Sequence, residues 1–156
     1  MKEIRTTDMF AITKPYETKT AAFTVTTNGM IKKDSTAVMG AGIAKTAAAL
    51  FPSLPRLLAN SLKKHGNRTF AYRVADTKNR TATVITMPTK QDWRDPSDLE
   101  LIKKSCKEML QIADANGLTE VYLPCPGCSN GKLDWNDVKP AIAAILDDRF
   151  TVCVRP

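Results

Sequence analysis

The chain has few of the residues that mark secreted, metal-binding or membrane proteins. It contains four cysteines and one histidine among 156 residues. The cysteines are too few and too unevenly spaced for a disulfide framework, and one pair alone has metal-ligand spacing, so we expect reduced thiols and no metal site. No apolar run approaches the roughly 20 residues that cross a bilayer, and residues 1–5 carry no apolar signal-peptide core. We therefore expect a cytoplasmic protein with no membrane partner.

Two common nucleotide-binding motifs are also missing. The chain has no Gly-Lys-Ser or Gly-Lys-Thr sequence, which a P-loop requires. A Gly-x-Gly pair occurs at Gly40 and Gly42, but Lys45 occupies the third glycine position of the dinucleotide fingerprint. The sequence therefore does not favour a P-loop enzyme or a classical Rossmann domain.

Positive charge is concentrated in the middle of the chain. The net charge is +7, and residues 56–110 hold 12 lysines and arginines against 6 acidic residues, whereas residues 111–156 hold 4 against 6. Such a region attracts nucleic acid or another phosphate-rich ligand, but it is equally typical of a solvated basic face. Single-stranded nucleic acid is thus a candidate partner.

Hydrophobic patterns predict alternating strands and helices. Strands are expected over residues 3–12, 21–27, 70–75, 81–87, 120–124 and 150–154, with a polar turn region around Lys14 and Pro15. Helices are expected from Gly42 to Pro52, over residues 54–64, from a capping box at Ser97 and Glu100 to Gly117, and after a cap at Asp134. Val138, Ala141, Ile142, Ile145 and Leu146 should form the buried face of the last helix, whose first turn Pro140 should distort. The pattern predicts one domain over residues 1–156, an α/β fold with three α/β/α layers and a mixed, mostly parallel central sheet.

Two glycine-rich loops are the most informative feature. Val38 to Ala44 and Leu123 to Trp135 each follow an apolar or strand-like run and lead into a helix pattern. Glycines let the backbone approach phosphate oxygens, and the free N–H groups of a helix start donate hydrogen bonds to anions. The pair therefore predicts a diphosphate site at the carboxyl ends of the strands.

Three other residue sets suggest chemistry. Cys125 and Cys128 have the spacing of a redox pair, but more loop follows them than in a thioredoxin-like site, so redox catalysis is not favoured. Lys90 follows a strand end, where its amine can neutralise a phosphate or attack an electrophilic sugar carbon. Trp93 and Arg94 either pack against the protein or clamp a ligand, and Asn28 either forms a turn or directs its carboxamide at sugar hydroxyls.

Together these segments resemble the macrodomain family of ADP-ribose-binding modules. The resemblance covers Thr7 to Phe10, Thr26 to Gly29, Ala37 to Ala44 and Gly127 to Trp135. Pro88 to Arg94 (PTKQDWR) is similar to the Pro-Thr-Lys-x-x-Trp-Arg motif of the branch that contains the terminal ADP-ribose protein glycohydrolase and the DarG antitoxin macrodomain.

The resemblance implies a role for each matching residue. Asp8 would accept a hydrogen bond from the adenine amino group, Asn28 would face the distal ribose, and Lys90 would act at the anomeric carbon, so that Lys90 and Asn28 are the implied catalytic residues. The implied ADP-ribose-binding residues are Asp8, Met9, Met39, Gly40, Ala41, Gly42, Ile43, Ala44, Pro124, Gly127, Cys128, Ser129, Asn130 and Gly131. No cofactor is implied.

The sequence also departs from this family pattern. Gly131 occupies the position of a catalytic aspartate in the terminal protein glycohydrolase, and Asn130 to Trp135 is more similar to the DarG pattern, whose relatives act on DNA bases. Thr7 and Ser129 replace common glycines. We therefore expect a monomeric hydrolase that removes ADP-ribose from a modified macromolecule, with DNA favoured over protein. A non-catalytic ADP-ribose reader and an O-acetyl-ADP-ribose deacetylase are the alternatives.

Overall fold

A computed structural model describes residues Met1–Pro156, which form six strands, five α-helices and one 3-10 turn. The strands are β1 (Lys2–Arg5), β2 (Ala21–Thr27), β3 (Phe70–Ala75), β4 (Thr81–Pro88), β5 (Glu120–Pro124) and β6 (Phe150–Val154). The helices are α1 (Lys14–Glu17), α2 (Gly42–Leu50), α3 (Leu54–His65), α4 (Leu99–Asn116) and α5 (Trp135–Ala143), and the 3-10 turn is Met9–Ala11. No helix combines the length and apolar character needed to span a bilayer.

All six strands join one sheet in the order β1-β6-β5-β2-β4-β3. Only the β3–β4 pair is antiparallel, which confirms the mixed, mostly parallel sheet. The register pairs Thr27 with Pro88, the last residues of β2 and β4, and pairs Pro124, the last residue of β5, with Cys153, the last but one of β6. The loops that leave these strands therefore emerge side by side along one edge of the sheet.

Helices cover both faces of the sheet, so the predicted three layers are confirmed. On one face Phe23 and Val25 of β2 belong to a buried cluster with Phe51 and Leu58, from the α2–α3 side. On the other face Ala22, the neighbour of Phe23, packs in a second cluster that includes side chains of α4 and α5. Successive strand residues point to opposite faces of the sheet, and both faces of β2 are covered. This strand accordingly consists of small and apolar residues together with threonines (AAFTVTT).

The N-terminal strand is shorter than its composition suggests. We predicted a strand over residues 3–12, but β1 ends at Arg5. The Asp8 carboxylate accepts a hydrogen bond from the Phe10 N–H at 3.0 Å and so starts the 3-10 turn. The predicted turn region at Lys14 and Pro15 is instead α1, in whose first turn Pro15 removes no helical hydrogen bond.

The predicted capping box of α4 is also wrong. Asp98 is the N-cap, and its carboxylate accepts from the Glu100 N–H at 2.9 Å. Ser97 is buried one residue earlier, where its hydroxyl donates to Thr89 Oγ1 at 3.3 Å and its N–H donates to the Gly131 carbonyl at 2.9 Å. Because the Ser97 hydroxyl is bonded to Thr89, it does not cap the helix.

The other helix ends follow the sequence more closely. Gly117 adopts a left-handed φ of 63° and ends α4, and the Asp134 carboxylate accepts from the Asn136 N–H at 2.8 Å and caps α5. However, α5 contains Pro140 and ends at Ala143, so that Ile145 and Leu146 follow the helix rather than belonging to its buried face.

Candidate functional site

One large cavity, of about 940 Å³, lies at the edge where the parallel strands end. Lys90, Asn28 and every residue to which the resemblance assigns ligand binding line this cavity. They come from the segments after β1, β2, β4 and β5, which are far apart in sequence and adjacent in the sheet. The topology thus brings the candidate residues together around one cavity.

The first glycine loop leads to an uncapped helix start. Ala41 is the N-cap of α2 and offers no side-chain hydrogen bond to the first-turn N–H groups. Gly42, Ile43 and Ala44 in this turn line the cavity. Unpaired N–H groups at the positive end of a helix dipole attract an anion, so this end of α2 can hold a phosphate group.

The two loops approach each other at Gly42. Its φ of 57° is left-handed, and a Cβ on this residue would lie 2.8 Å from Nδ2 of Asn130 in the second loop. A side chain at position 42 would therefore be strained by its backbone and would meet the opposite wall. Glycine here keeps the gap between the loops narrow.

The second loop is folded tightly upon itself. The Gly127 carbonyl accepts from the Leu133 N–H at 2.8 Å, and Gly127 has a left-handed φ of 76°. Gly131 is buried, and a Cβ there would overlap Ser97 Oγ and lie 2.6 Å from the Gly127 carbonyl oxygen. The loop in this conformation has no room for a carboxylate side chain at position 131.

Lys90 is fixed at its backbone and freer at its amine. The Thr89 N–H donates to the Thr27 carbonyl at 3.0 Å, and Asn67 Nδ2 donates to the Lys90 carbonyl at 3.2 Å. The Lys90 Nζ donates to the Trp93 carbonyl at 3.5 Å, at the long limit of a hydrogen bond. The backbone is anchored from two neighbouring segments, whereas the ammonium group has no carboxylate partner.

The carboxamide of Asn28 is used mainly within the protein. Its Nδ2 donates to the Val38 carbonyl at 3.0 Å and its Oδ1 accepts from the Met30 N–H at 2.9 Å. These bonds hold the segment after β2 against the start of the first glycine loop. One N–H of the amide is left over, so any contact with a ligand would come from that donor.

Asp8 lies at a different part of the cavity. One carboxylate oxygen caps the 3-10 turn, and the other makes no hydrogen bond within the chain. Asp8 is the one carboxylate in the lining, which also contains the cations Lys90 and Arg155. The cavity therefore combines a single carboxylate with a net positive lining, which suits an anionic ligand that carries a hydrogen-bond donor.

Sequence reasoning missed the contribution of the last strand. Cys153, Val154 and Arg155 line the cavity because β6 runs parallel to β1 and pairs Val154 with Arg5. This pairing brings the residue after β6 beside Thr6 and Thr7. No local motif signals it, since it depends on the order of strands in the sheet.

The thiols do not have the character of redox cysteines. Burial raises the pKa of Cys128 to about 11 and that of Cys153 to about 12, and burial also raises the pKa of Cys125. A redox thiol needs a lowered pKa, so that it is a thiolate at neutral pH.

We predict slow alkylation of Cys125 and Cys128 by iodoacetamide at pH 7.5, with rates that rise as the pH approaches 11. We expect both thiols to react more slowly than free cysteine does. Mass spectrometry of the modified peptides measures the two rates. Rapid alkylation of either thiol at pH 6 would show a thiolate and contradict this assignment.

Comparison with known proteins agrees with this architecture. The family model described as Macro domain matches residues 12–142. The chain belongs to the macrodomain family. This macrodomain is 28% identical to the DNA ADP-ribosyl glycohydrolase of Mycobacterium tuberculosis over 109 residues, which cover 69% of this chain and 31% of that protein. It is 31% identical to the ADP-ribose glycohydrolase OARD1 of Bos taurus over 117 residues, which cover 73% of this chain and 72% of that protein.

A solved structure shows the same fold. The macrodomain of Mycobacterium tuberculosis DarG superimposes with a TM-score of 0.75 at 23% identity and covers 99% of this macrodomain and 97% of that chain. By contrast, the chain spans about a third of the length of the DNA ADP-ribosyl glycohydrolases that it matches. The predicted family and fold are thus confirmed, and the similarity to ADP-ribosyl glycohydrolases is established at low identity.

Proposed function

We propose that this macrodomain binds ADP-ribose in the cavity and removes it from a modified macromolecule, with DNA favoured over protein as the acceptor. The observation that carries the proposal is the position of Lys90, which has an anchored backbone and lines the same cavity as the two glycine-rich loops. Both relatives described above are named for the removal of ADP-ribose or ADP-ribosyl groups.

The resemblance to the macrodomain family implies how the ligand would lie in the cavity. The adenine would be near Asp8, whose free carboxylate oxygen would accept from the amino group. The diphosphate would lie between the α2 N-terminus and the second loop, where backbone N–H groups would stabilise its charge. The distal ribose would then reach Asn28 and Lys90.

Lys90 would act as the nucleophile. Its amine would attack the anomeric carbon, the bond from that carbon to the acceptor would break, and the acceptor would leave with the electron pair and take up a proton. Water would then release ADP-ribose and restore the lysine. Holding the anomeric carbon against the amine would supply much of the rate enhancement.

One observation favours a non-catalytic reader as the second candidate. The lining contains no carboxylate except Asp8, and position 131 cannot hold one in the observed loop. The cavity lining therefore contains no carboxylic acid other than Asp8 that could protonate the leaving acceptor. A reader needs only the binding residues and no such acid.

Release of ADP-ribose from two matched substrates tests the proposal. ADP-ribosylated single-stranded DNA and an ADP-ribosylated protein are incubated with the macrodomain, and the affinity for free ADP-ribose is measured in parallel. We expect release from DNA to be faster and to fall steeply between 50 and 200 mM salt, because phosphate contacts are salt-sensitive. Tight ADP-ribose binding without release from either substrate would support the reader.

Asp8 provides a separate test of the binding mode. In Asp8→Asn, the amide oxygen still accepts from Phe10 and preserves the 3-10 turn, but the NH₂ group replaces the oxygen that would face adenine. We expect about a tenfold or greater loss of ADP-ribose affinity in calorimetry, since one hydrogen bond to a charged group is lost. Asp8→Ala, which loses the cap as well, should also unfold at a lower temperature. Unchanged affinity in Asp8→Asn would remove Asp8 from the adenine contact.

A further inference from the structure

We infer that Trp93, Lys63, Lys64 and Arg68 form an acceptor platform, a surface beside Lys90 that binds unpaired nucleic acid next to the modified nucleotide. The inference rests on the proposed function for its position relative to the reaction, because the acceptor must leave the cavity at the lysine. It specifies which residues bind the macromolecule that carries the ADP-ribose. The two glycine-rich loops would contact only the ADP-ribose itself.

Trp93 is the most exposed large apolar side chain of the protein. Its exposed fraction is 55%, yet it also lines the cavity, so it stands at the rim. Its backbone carbonyl lies 3.5 Å from the Lys90 Nζ. A flat ring beside the reacting amine is suited to stack on an unpaired base.

An ion pair fixes the loop that presents this indole. Arg94 Nε and Nη2 donate to the two oxygens of Asp92 at 3.0 and 2.6 Å, and the Arg94 N–H adds a third bond at 3.0 Å. The hydrogen bonds from the Arg94 side chain lower the pKa of Asp92 to about 2, so the pair persists across the physiological range. The Arg94 guanidinium carbon lies 5.9 Å from the centre of the Trp93 ring. The two residues that flank the indole are thus occupied with each other and hold its backbone in place.

The positive charge lies on the adjoining segment. No aspartate or glutamate occurs between Asp34 and Asp76, and Lys63, Lys64 and Arg68 at the end of α3 and in the loop after it are all exposed. Glu108 of α4 reaches this region, but its carboxylate accepts from the Thr69 N–H and hydroxyl at 3.3 and 3.1 Å. The three cations therefore have no carboxylate partner in the protein.

Asn67 joins the basic segment to the reacting residue. It lies between the cations, and its Nδ2 donates to the Lys90 carbonyl at 3.2 Å. The segment that carries the cations is therefore bonded to the Lys90 backbone, three residues before the indole. Phosphates contact cations and bases stack on aromatic rings, so this combination fits a single strand better than a duplex, whose bases are already stacked.

Binding of an unmodified oligonucleotide tests the platform independently of catalysis. A labelled 12-nucleotide oligothymidylate is titrated by fluorescence anisotropy against the wild type, Trp93→Ala, Trp93→Phe and the triple variant Lys63→Ala, Lys64→Ala and Arg68→Ala. Lys78→Ala, an exposed lysine outside the cavity lining, is the matched control. Free ADP-ribose is titrated against the wild type in parallel.

We expect Trp93→Ala to weaken oligothymidylate binding about fivefold or more, and Trp93→Phe to retain most of the affinity because it keeps a stacking face. The triple variant should reduce the magnitude of the slope of log affinity against log salt by about 2. Each phosphate contact on a single strand contributes about 0.7 to this slope, and the variant removes three cations. Lys78→Ala should behave as the wild type.

Two results would overturn the inference. One is that Trp93→Ala and the wild type bind the oligonucleotide equally. The other is that a duplex of the same length or an oligoglutamate of similar charge binds as well as the single strand does, which would indicate a general charge effect. If ADP-ribose binds but the oligonucleotide does not, the platform fails and the proposed function stands. If the oligonucleotide binds but ADP-ribose does not, the proposed function fails instead.

Discussion

Lys90→Ala is expected to lower the rate of ADP-ribose release by about a thousandfold or more, while the affinity for free ADP-ribose changes by no more than about threefold. The nucleophile would be lost, and its loss removes a covalent step that other groups in the cavity cannot replace. The fold should persist, since the Asn67 bond is made to the Lys90 backbone and not to its side chain. Single-turnover release and calorimetry on the same preparations measure the two effects.

Two variants separate the chemistry of Lys90 from its charge. Lys90→Arg keeps a cation in the cavity but cannot act as a neutral nucleophile at ordinary pH, so it should be as inactive as alanine. Lys78→Ala, in the turn between β3 and β4, should release ADP-ribose at the wild-type rate. If Lys90→Arg retained most of the activity, Lys90 would act only by attracting the phosphate groups.

Local sequence signals located most elements but not every boundary. The long α4 stripe, the Gly117 stop and the β3–β4 pair follow directly from periodicity and turn residues. One error, at β1, comes from the local bond between Asp8 and Phe10, and another comes from a partner that is distant in sequence. Ser97 has the appearance of a helix cap, but its N–H is bonded to Gly131, 34 residues later, because the second loop folds over it.

In the candidate site, too, some features have a local sequence signal and others depend on the fold. The glycine loops and the motif around Lys90 carry their own signals, and they converge because parallel strands end at one edge of the sheet. The role of Asn28 as a clamp between Met30 and Val38 depends on the path of the loop. The entry of Arg155 into the lining depends on the pairing of the first strand with the last. Such contacts require the topology, which no segment encodes alone.

Gly131→Ala should be the most destabilising single-methyl change in the second loop. Its Cβ would overlap Ser97 Oγ and lie 2.8 Å from the Gly127 Cα, which belongs to the backbone and cannot rotate away. The φ of Gly131 is not left-handed, so the penalty comes from packing and not from backbone strain. We expect the free energy of unfolding to fall by about 2 kcal/mol, with a drop of several degrees in the melting temperature. Thermal denaturation followed by circular dichroism measures it.

Gly40→Ala is the matched control, because a Cβ at Gly40 meets nothing within 4 Å and its φ is unexceptional. It should unfold at nearly the wild-type temperature. Gly131→Asp adds a carboxylate to the same crowded position, so we expect it to displace the loop and weaken ADP-ribose binding, and not to add an acid to the site. Gly131→Asp could instead fold normally, bind ADP-ribose and accelerate its release from modified protein. The loop would then be adaptable. The absence of a carboxylate at position 131 would in that case reflect the choice of ADP-ribose acceptor and not the packing of Gly131 against Ser97 and Gly127.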